Sequence, residues 1–435
     1  MMSVRWHLLG FLAAMTASSA VAKAQTKDSL RLGALHADAL RRDPRMRELD
    51  LLSAQSSLRV KSIDAERLPM LSVNGQAQYQ STVASIPIML PGVTVPTPPH
   101  DTYDASAAIR QRLFDPALNG RKDVERAQLA ESQARVRSSV FALQQNVNDA
   151  YFSVLSLLAQ RAEILTVVAD LEAQHRVASA RVKEGAALPS EARILEAEIL
   201  RRRQSVDELV TNADAALAVL ADLAGRELSV GQPMTLPELG SEVTAARARL
   251  NTLRERPEYQ QFSLTREVLG RQQAAVSARD LPRVSAFGRA GYGRPGLNPL
   301  ASEFDSYWLA GVQLEWTPWS WGTTRRDRQV LTLQQEIVES EEAAFSESVR
   351  RAVVRDLATI DRLEKSAGDD DAIVTLREQV LREARARFGE GVITSAEYVD
   401  RQTDVLAARL TRSAHRVELA QARARFLTTL GLEVR

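Results

Sequence analysis

The stretch Arg41–Tyr79, RRDPRMRELDLLSAQSSLRVKSIDAERLPMLSVNGQAQY, has a counterpart at Arg254–Tyr292, RERPEYQQFSLTREVLGRQQAAVSARDLPRVSAFGRAGY. Aligned without a gap, Pro44 falls on Pro257 and Leu68-Pro69 on Leu281-Pro282. Gly75 falls on Gly288 and Tyr79 on Tyr292, each 213 positions on. Each copy starts as a polar helix bearing Ala and Leu, breaks at Leu-Pro, and continues as an alternating strand. A fixed internal offset of this kind marks a tandem duplication, here of a helix-into-strand unit.

Outward from the repeat, residues 27–67 carry helical spacing broken by Pro44. From Met70 to Gln80 the period becomes two: Leu71, Val73, Ala77 and Tyr79 share one side with Gly75, and Ser72, Asn74, Gln76, Gln78 and Gln80 the other. A loop with Pro87, Pro91, Pro96, Pro98 and Pro99 leads to a return strand over 103–114, where Ala105, Ala107 and Ile109 oppose Ser106, Arg110 and Arg112. No proline lies between Pro116 and Pro189. Apolar residues at Val147, Tyr151, Val154, Leu158, Leu165 and Val168 predict a helix over 121–183. At roughly 95 Å it suits a coiled coil better than a compact core. Gly185 ends it, and a second helix over 190–223 closes at Gly225. The second copy repeats the plan: a helix to Asp280, strands over 283–293 and 307–316, a helix over 323–388, a turn at Gly389 and Gly391, and a helix to Leu430-Gly431. The turns align at an offset of 206, with Arg181, Glu184, Gly185 and Glu191 on Arg387, Glu390, Gly391 and Glu397. The expected organisation is a leader at 1–24, a first repeat at 25–225, a connector at 226–240 and a second repeat at 241–435.

Composition narrows the classes. A net charge of +1 gives no signal for nucleic acid. The absence of cysteine excludes disulfides, thiolate metal sites, a thiol nucleophile and an acylated N-terminal cysteine. Arg5, the apolar run Leu8–Ala14 and Ala22-Lys23-Ala24 read as a secretory signal peptide. No other stretch reads as apolar enough for a transmembrane helix, so a membrane protein of this sequence must be a barrel. The strands alone fit either a transmembrane barrel or a soluble antiparallel sheet with aromatics at its rim. The polar face (Asn74, Gln76, Gln78, Arg110, Arg112, Arg289) is too wet for a filled core, and four strands cannot close on themselves. Several chains in a ring would remove every edge.

The duplicated helix–Leu-Pro–strand unit carries a resemblance to the TolC-type outer membrane efflux protein family. So do the strand exits Leu113-Phe114-Asp115-Pro116 with Gly120 and Trp316-Thr317-Pro318 with Gly322, and the tips Arg181–Gly185 and Arg387–Asp400. The resemblance covers nearly all of the chain after the leader. It implies a mainly α fold with transmembrane β: a coiled-coil α-barrel in the periplasm, and four strands per chain in a trimeric twelve-stranded outer membrane barrel. It implies a passive exit duct of a tripartite efflux or type I export system, meeting a periplasmic adaptor and, indirectly, an inner-membrane pump. A different class, a periplasmic coiled-coil adaptor or scaffold, is the alternative.

No nucleophile elbow, phosphate loop or metal spacing is found, so no enzyme, cofactor or metal is expected. His175 and His415 read as solvated helix residues. Tyr79, Tyr103, Phe114, Tyr292, Trp308, Trp316 and Trp319 are the expected membrane-interface aromatics, set against outer membrane lipid. The resemblance places Glu397 and Asp400, with Glu191 on the other tip, around the channel entrance; the residues also read as a capping box, Thr394-Ser395-Ala396-Glu397, and both readings stand. Family members lock this entrance with an arginine and a tyrosine where this chain has Ile393 and Phe388, so a more apolar, looser gate is expected. The tips Gly185, Ala186, Ala187, Leu188 and Gly391, Val392, Ile393, Thr394 are the expected adaptor contacts.

Overall fold

The computed structural model describes residues 29–84, 97–229, 231–250 and 254–434. The expected leader, and Pro87, Pro91 and Pro96 of the first strand loop, lie outside the described residues.

Each repeat is a short helix, a longer helix, two strands and a helical hairpin. In the first these are α1 (Leu32–Arg42), α2 (Pro44–Ala65), β1 (Met70–Tyr79), β2 (Asp101–Phe114), α3 (Ala117–Lys183) and α4 (Pro189–Ala224). In the second they are α5 (Gly240–Ala248), α6 (Pro257–Ser277) with one added 3₁₀ turn, β3 (Arg283–Arg294), β4 (Asp305–Glu315), α7 (Thr323–Glu390) and α8 (Ser395–Leu430). The duplicated prolines Pro44 and Pro257 occupy the first helical position of α2 and α6, where the missing N–H costs nothing. Asp43 accepts from the amide of Arg45 at 2.8 Å and so caps α2. Gly185 and Gly391 take positive φ at the hairpin tips, as do Gly225 and Gly431 at the hairpin ends. At Gly431 a Cβ would also meet the Arg256 amide nitrogen at 2.6 Å, so no larger residue fits. Helix α7 runs through Gly389 to Glu390, two residues past its expected end at 388.

The four strands form one antiparallel sheet in the order β1-β2-β3-β4. The hairpins match in length: 67 and 68 residues for α3 and α7, and 36 each for α4 and α8. They lie side by side and share two cores. One sits mid-length and gathers Leu35, Val147, Tyr151, Leu220, Ile360 and Phe426 from both repeats. The other lies near the tips, with Ile164, Leu171, Leu195, Leu381 and Val405. One helix, α3, does contain a window long and apolar enough to cross a membrane by length and composition, which corrects the expectation that no stretch beyond the leader is apolar enough. In that part of α3, Phe152, Val154 and Leu155 are buried in the mid-length core and Ile164, Val167 and Val168 in the core near the tips.

The mid-length core holds a buried polar chain. His36 lies 2.8 Å from Asn148 Oδ1, and Asn148 donates to Thr428 at 3.1 Å. Burial pushes the imidazole pKa below its usual 6.5. Asn148 and Gln144, which share hydrogen bonds with it, and the charge of Glu433 oppose that shift in part. The folded chain therefore binds this proton less readily than the unfolded chain. The cost is absent above the unfolded pKa and grows as pH falls through 6.5. His36→Gln is expected to melt lower than wild type at pH 7.5, with the gap narrowing by pH 5; a constant gap in thermal melts of detergent-solubilised protein would show that His36 titrates alike in both states.

Candidate functional site

Two regions carry unusual chemistry: the faces of the sheet and the hairpin tips. Cross-strand register decides the faces. Leu71, Val73, Ala77 and Tyr79 pair with Ile109, Ala107, Tyr103 and Asp101, and β3 and β4 continue this face with Ala290, Tyr292, Trp308, Val312 and Leu314. It is strongly exposed, with Val73 at 80% and Trp308 at 77%. The opposite face brings Asn74, Gln76, Gln78, Arg110, Arg112 and Arg289 together.

Tyr79, Tyr103 and Tyr292 gather at the loop end of the apolar face, where Phe304 stacks on Tyr103 and Tyr292 at 6.0 and 5.6 Å. Trp316, Trp319 and Trp321 stand exposed at the helix end. Trp308 lies on the same face but inward from the loop end, in register with Ala290 and Ala107. Phe114 reaches it by a device hidden from simple alternation. By a period of two Phe114 would join Arg110 and Arg112 on the polar face. A bulge between Arg112 and Phe114 pairs Phe114 with Val284, so its ring turns to the apolar side.

The long side chains of the polar face lie along its wall. Arg289 contacts Asp104 at 2.5 Å and donates to Ser106 at 3.0 Å, and the Tyr307 hydroxyl donates to the same Asp104. The Tyr307 ring rests on Gly291, where a Cβ would come within 2.6 Å of it. Glycine there lets the ring lie flat.

At the tips, the two hairpins are clasped across about 200 residues of sequence. The Arg181 guanidinium donates to the Phe388 carbonyl at 2.8 Å, at the end of α7. The Glu191 carboxylate accepts from the Ser395 amide at 2.5 Å, at the start of α8. Each charge thus meets the helix end whose dipole it complements. Deeper in, the Tyr398 hydroxyl donates to Asp170 at 2.5 Å, and Arg385 pairs with the same carboxylate. Burial, then the adjacent Asp170, push the Tyr398 pKa up and keep it a proton donor.

These contacts relocate several expected site residues. Phe388 does not line an entrance: it is 3% exposed and stacks on Tyr398 at 5.2 Å inside the hairpin pair. Ile393 packs against the same core. Within one chain the hairpins are held by Asp170, Tyr398 and Arg385, none of which is marked by the sequence. Glu397 makes the full capping box with Thr394. Asp400, one turn on, is exposed and makes no ion pair among the described residues. Leu188 and Val392 stand out at the tips, 69% and 67% exposed. Gly185, Ala186 and Gly391 are exposed beside them, while Ala187 is half-buried. His415, expected to be solvated, contacts the buried Asp370 at 2.6 Å.

The chain's likeness to known proteins is clearest at this level. Residues 35–226 match the family model described as outer membrane efflux protein. No curated protein matches the chain. Solved structures of the same fold include CusC, at 16% identity and TM-score 0.68 over 93% of each chain. VceC of Vibrio cholerae matches at 14% identity and TM-score 0.65 over 93% of this chain and 97% of its own. The open-state MtrE channel of Neisseria gonorrhoeae matches at 19% identity and TM-score 0.64 over 93% of this chain and 90% of its own. At these identities the likeness is one of fold.

The clasp makes a local prediction. A hydrogen bond to a charged group is worth about 1.5–3 kcal/mol. Tyr398→Phe is therefore expected to speed amide exchange in the first turns of α8 by about tenfold or more, leaving the mid-length core unchanged. Its effect and that of Asp170→Asn should not add; simple additivity, or unchanged exchange, would show that the bond does not hold the tips.

Proposed function

We propose that this chain, whose first repeat belongs to the outer membrane efflux protein family and whose whole fold is shared with solved outer membrane channels, forms the exit duct of a tripartite efflux or type I export system. One observation carries the reading. A four-stranded sheet exposes an apolar face, leaves both edge strands unpaired, and runs directly into two long hairpins of equal length.

Four strands are too few to enclose a lumen, and in hydrocarbon an open edge leaves backbone groups without partners. Pairing β1 of one copy with β4 of the next satisfies both edges. Three copies give twelve strands, an even number within the range of outer membrane barrels. Lipid then meets Val73, Trp308 and Val312, and water meets the glutamines and arginines. Below, three pairs of hairpins line a periplasmic tunnel. Helix α7 supplies a seam for the next chain, with Ile373, Leu376 and Val380 exposed at spacings of three and four. The leader would be removed on export. Energy would come from an inner-membrane pump through a periplasmic adaptor, which the exposed tips Gly185–Leu188 and Gly391–Thr394 are placed to meet. The duct performs no catalysis.

At the entrance, carboxylates of three copies would converge and favour cations. Glu191 and Glu397 already serve backbone amides, so the unpaired Asp400 carries most of this role. A periplasmic adaptor or scaffold is not favoured, because such a protein has no use for an apolar sheet face beside a polar one.

Two measurements bear on this. The chain has no cysteine, so cysteines introduced in pairs at Leu71 or Val73 of β1 and Ala310 or Val312 of β4 should give covalent dimers and trimers on oxidation. A product that stays monomeric at every pairing speaks against the ring. In planar bilayers, Glu397→Ala/Asp400→Ala should lose most of the cation preference of wild type, with Asp400→Ala accounting for the larger share; unchanged selectivity removes the acidic ring.

A further inference from the structure

We propose that the root of the barrel holds a binding site for amphipathic anions, molecules with an apolar body and a carboxylate or sulfonate, anchored by Arg110. The proposal rests on the duct reading above, since it places the polar sheet face in the lumen.

A cavity of about 1090 Å³ opens where the helix-side ends of all four strands meet α2, α3 and α6. Six arginines and four carboxylates line it, so its wall carries an excess of positive charge. Most of these groups are committed to one another. Arg121 and Arg112 share Glu66 at 2.7 and 2.5 Å. Arg283 lies 3.8 Å from Asp115, and Arg59 lies 3.5 Å from Glu125. Arg279 pairs with Asp327, outside the cavity, at 3.1 Å. Glu315 stands across the sheet from Arg283 in register.

Arg110 differs from all of them. It is exposed on the polar face and has no hydrogen-bond or ion-pair partner among the described residues. Its cross-strand neighbours are apolar: Met70 on β1 and Phe287 on β3. Met70 is 63% exposed. The Phe287 ring lies flat on the next strand, where a Cβ on Gly311 would come within 2.9 Å of it. This row therefore sets an unspent planar guanidinium between two apolar side chains on the polar face of the sheet. A guanidinium grips a carboxylate or sulfonate through parallel N–H donors. A flexible thioether and an aromatic ring accept an apolar body of variable shape. Small inorganic anions would gain the charge but not the apolar contact, and amphipathic cations the reverse.

The test is block of current through purified, reconstituted wild-type protein and Arg110→Gln by 2-naphthoate, acetate and 2-naphthylmethylammonium. Naphthoate should block wild type in a manner that weakens with salt, and Arg110→Gln about fivefold less tightly, the scale of one exposed charge pair. Acetate and the ammonium compound should block neither. Equal naphthoate block of both proteins, or equal block by either control, overturns the site while open-channel current upholds the duct. Wild type that forms no pores at all overturns the duct reading instead. Arg110 is exposed and unpaired, so the substitution should leave assembly intact; Arg110→Lys, with the charge but not the fork, should fall between.

Discussion

A sheet with two unpaired edges and one exposed apolar face governs the rest of this molecule. In water such a sheet would be an aggregation hazard, and in hydrocarbon its free N–H and C=O groups would each cost several kcal/mol. Among the described residues nothing covers those edges: β1 and β4 are the outermost strands, and the helices leave from the ends of the sheet rather than packing over its sides. Only further copies can satisfy it. That requirement explains the matched hairpins. If three chains close a ring through their strands, six hairpins hang from one rim, and their tips must end in one plane. Lengths of 67 and 68 residues, and of 36 and 36, meet that condition although few residues are shared between the repeats.

Much of this was legible in the sequence, because its signals are local. The Leu-Pro breaks placed β1 and β3 within a residue of their observed starts, period-two alternation separated the faces, and the tip glycines marked the turns. What escaped notice depends on contacts between distant residues. The family resemblance makes Phe388 a gate residue, but its burial is decided by Tyr398 beyond the turn and by α3 more than 200 positions back. The Asp170–Tyr398–Arg385 bond has no periodic mark, since each residue taken alone resembles any polar helix residue. Phe114 shows the limit differently: a single extra residue inverts the parity of everything after it, and a bulge without glycine leaves no local sign. The apolar length of α3 has no sign in the spacing of its apolar residues, and its burial is shared between two cores built with residues far away in the chain.

The duplication also shows how one unit came to do two jobs at the tips. Arg181 and Glu191 reach across to cap the other hairpin, Arg181 at the end of α7 and Glu191 at the start of α8. Their counterparts Arg387 and Glu397 do not return the favour. Glu397 caps its own helix, and the Arg387 side chain is exposed without a partner among the described residues. At the extreme tips the capping contacts therefore run one way, while deeper in Arg385 and Tyr398 reach back to Asp170. The α7/α8 tip keeps two of its charges, Arg387 and Asp400, free of partners among the described residues. A ring built from such units has two kinds of seam, one satisfied within each chain and one between chains whose polar groups are still uncommitted. Charged groups exposed at a helix tip exchange water for protein at little cost, unlike those already desolvated in a clasp. Parting the two hairpins of one chain would break the bonds made by Arg181, Glu191, Tyr398 and Arg385 together.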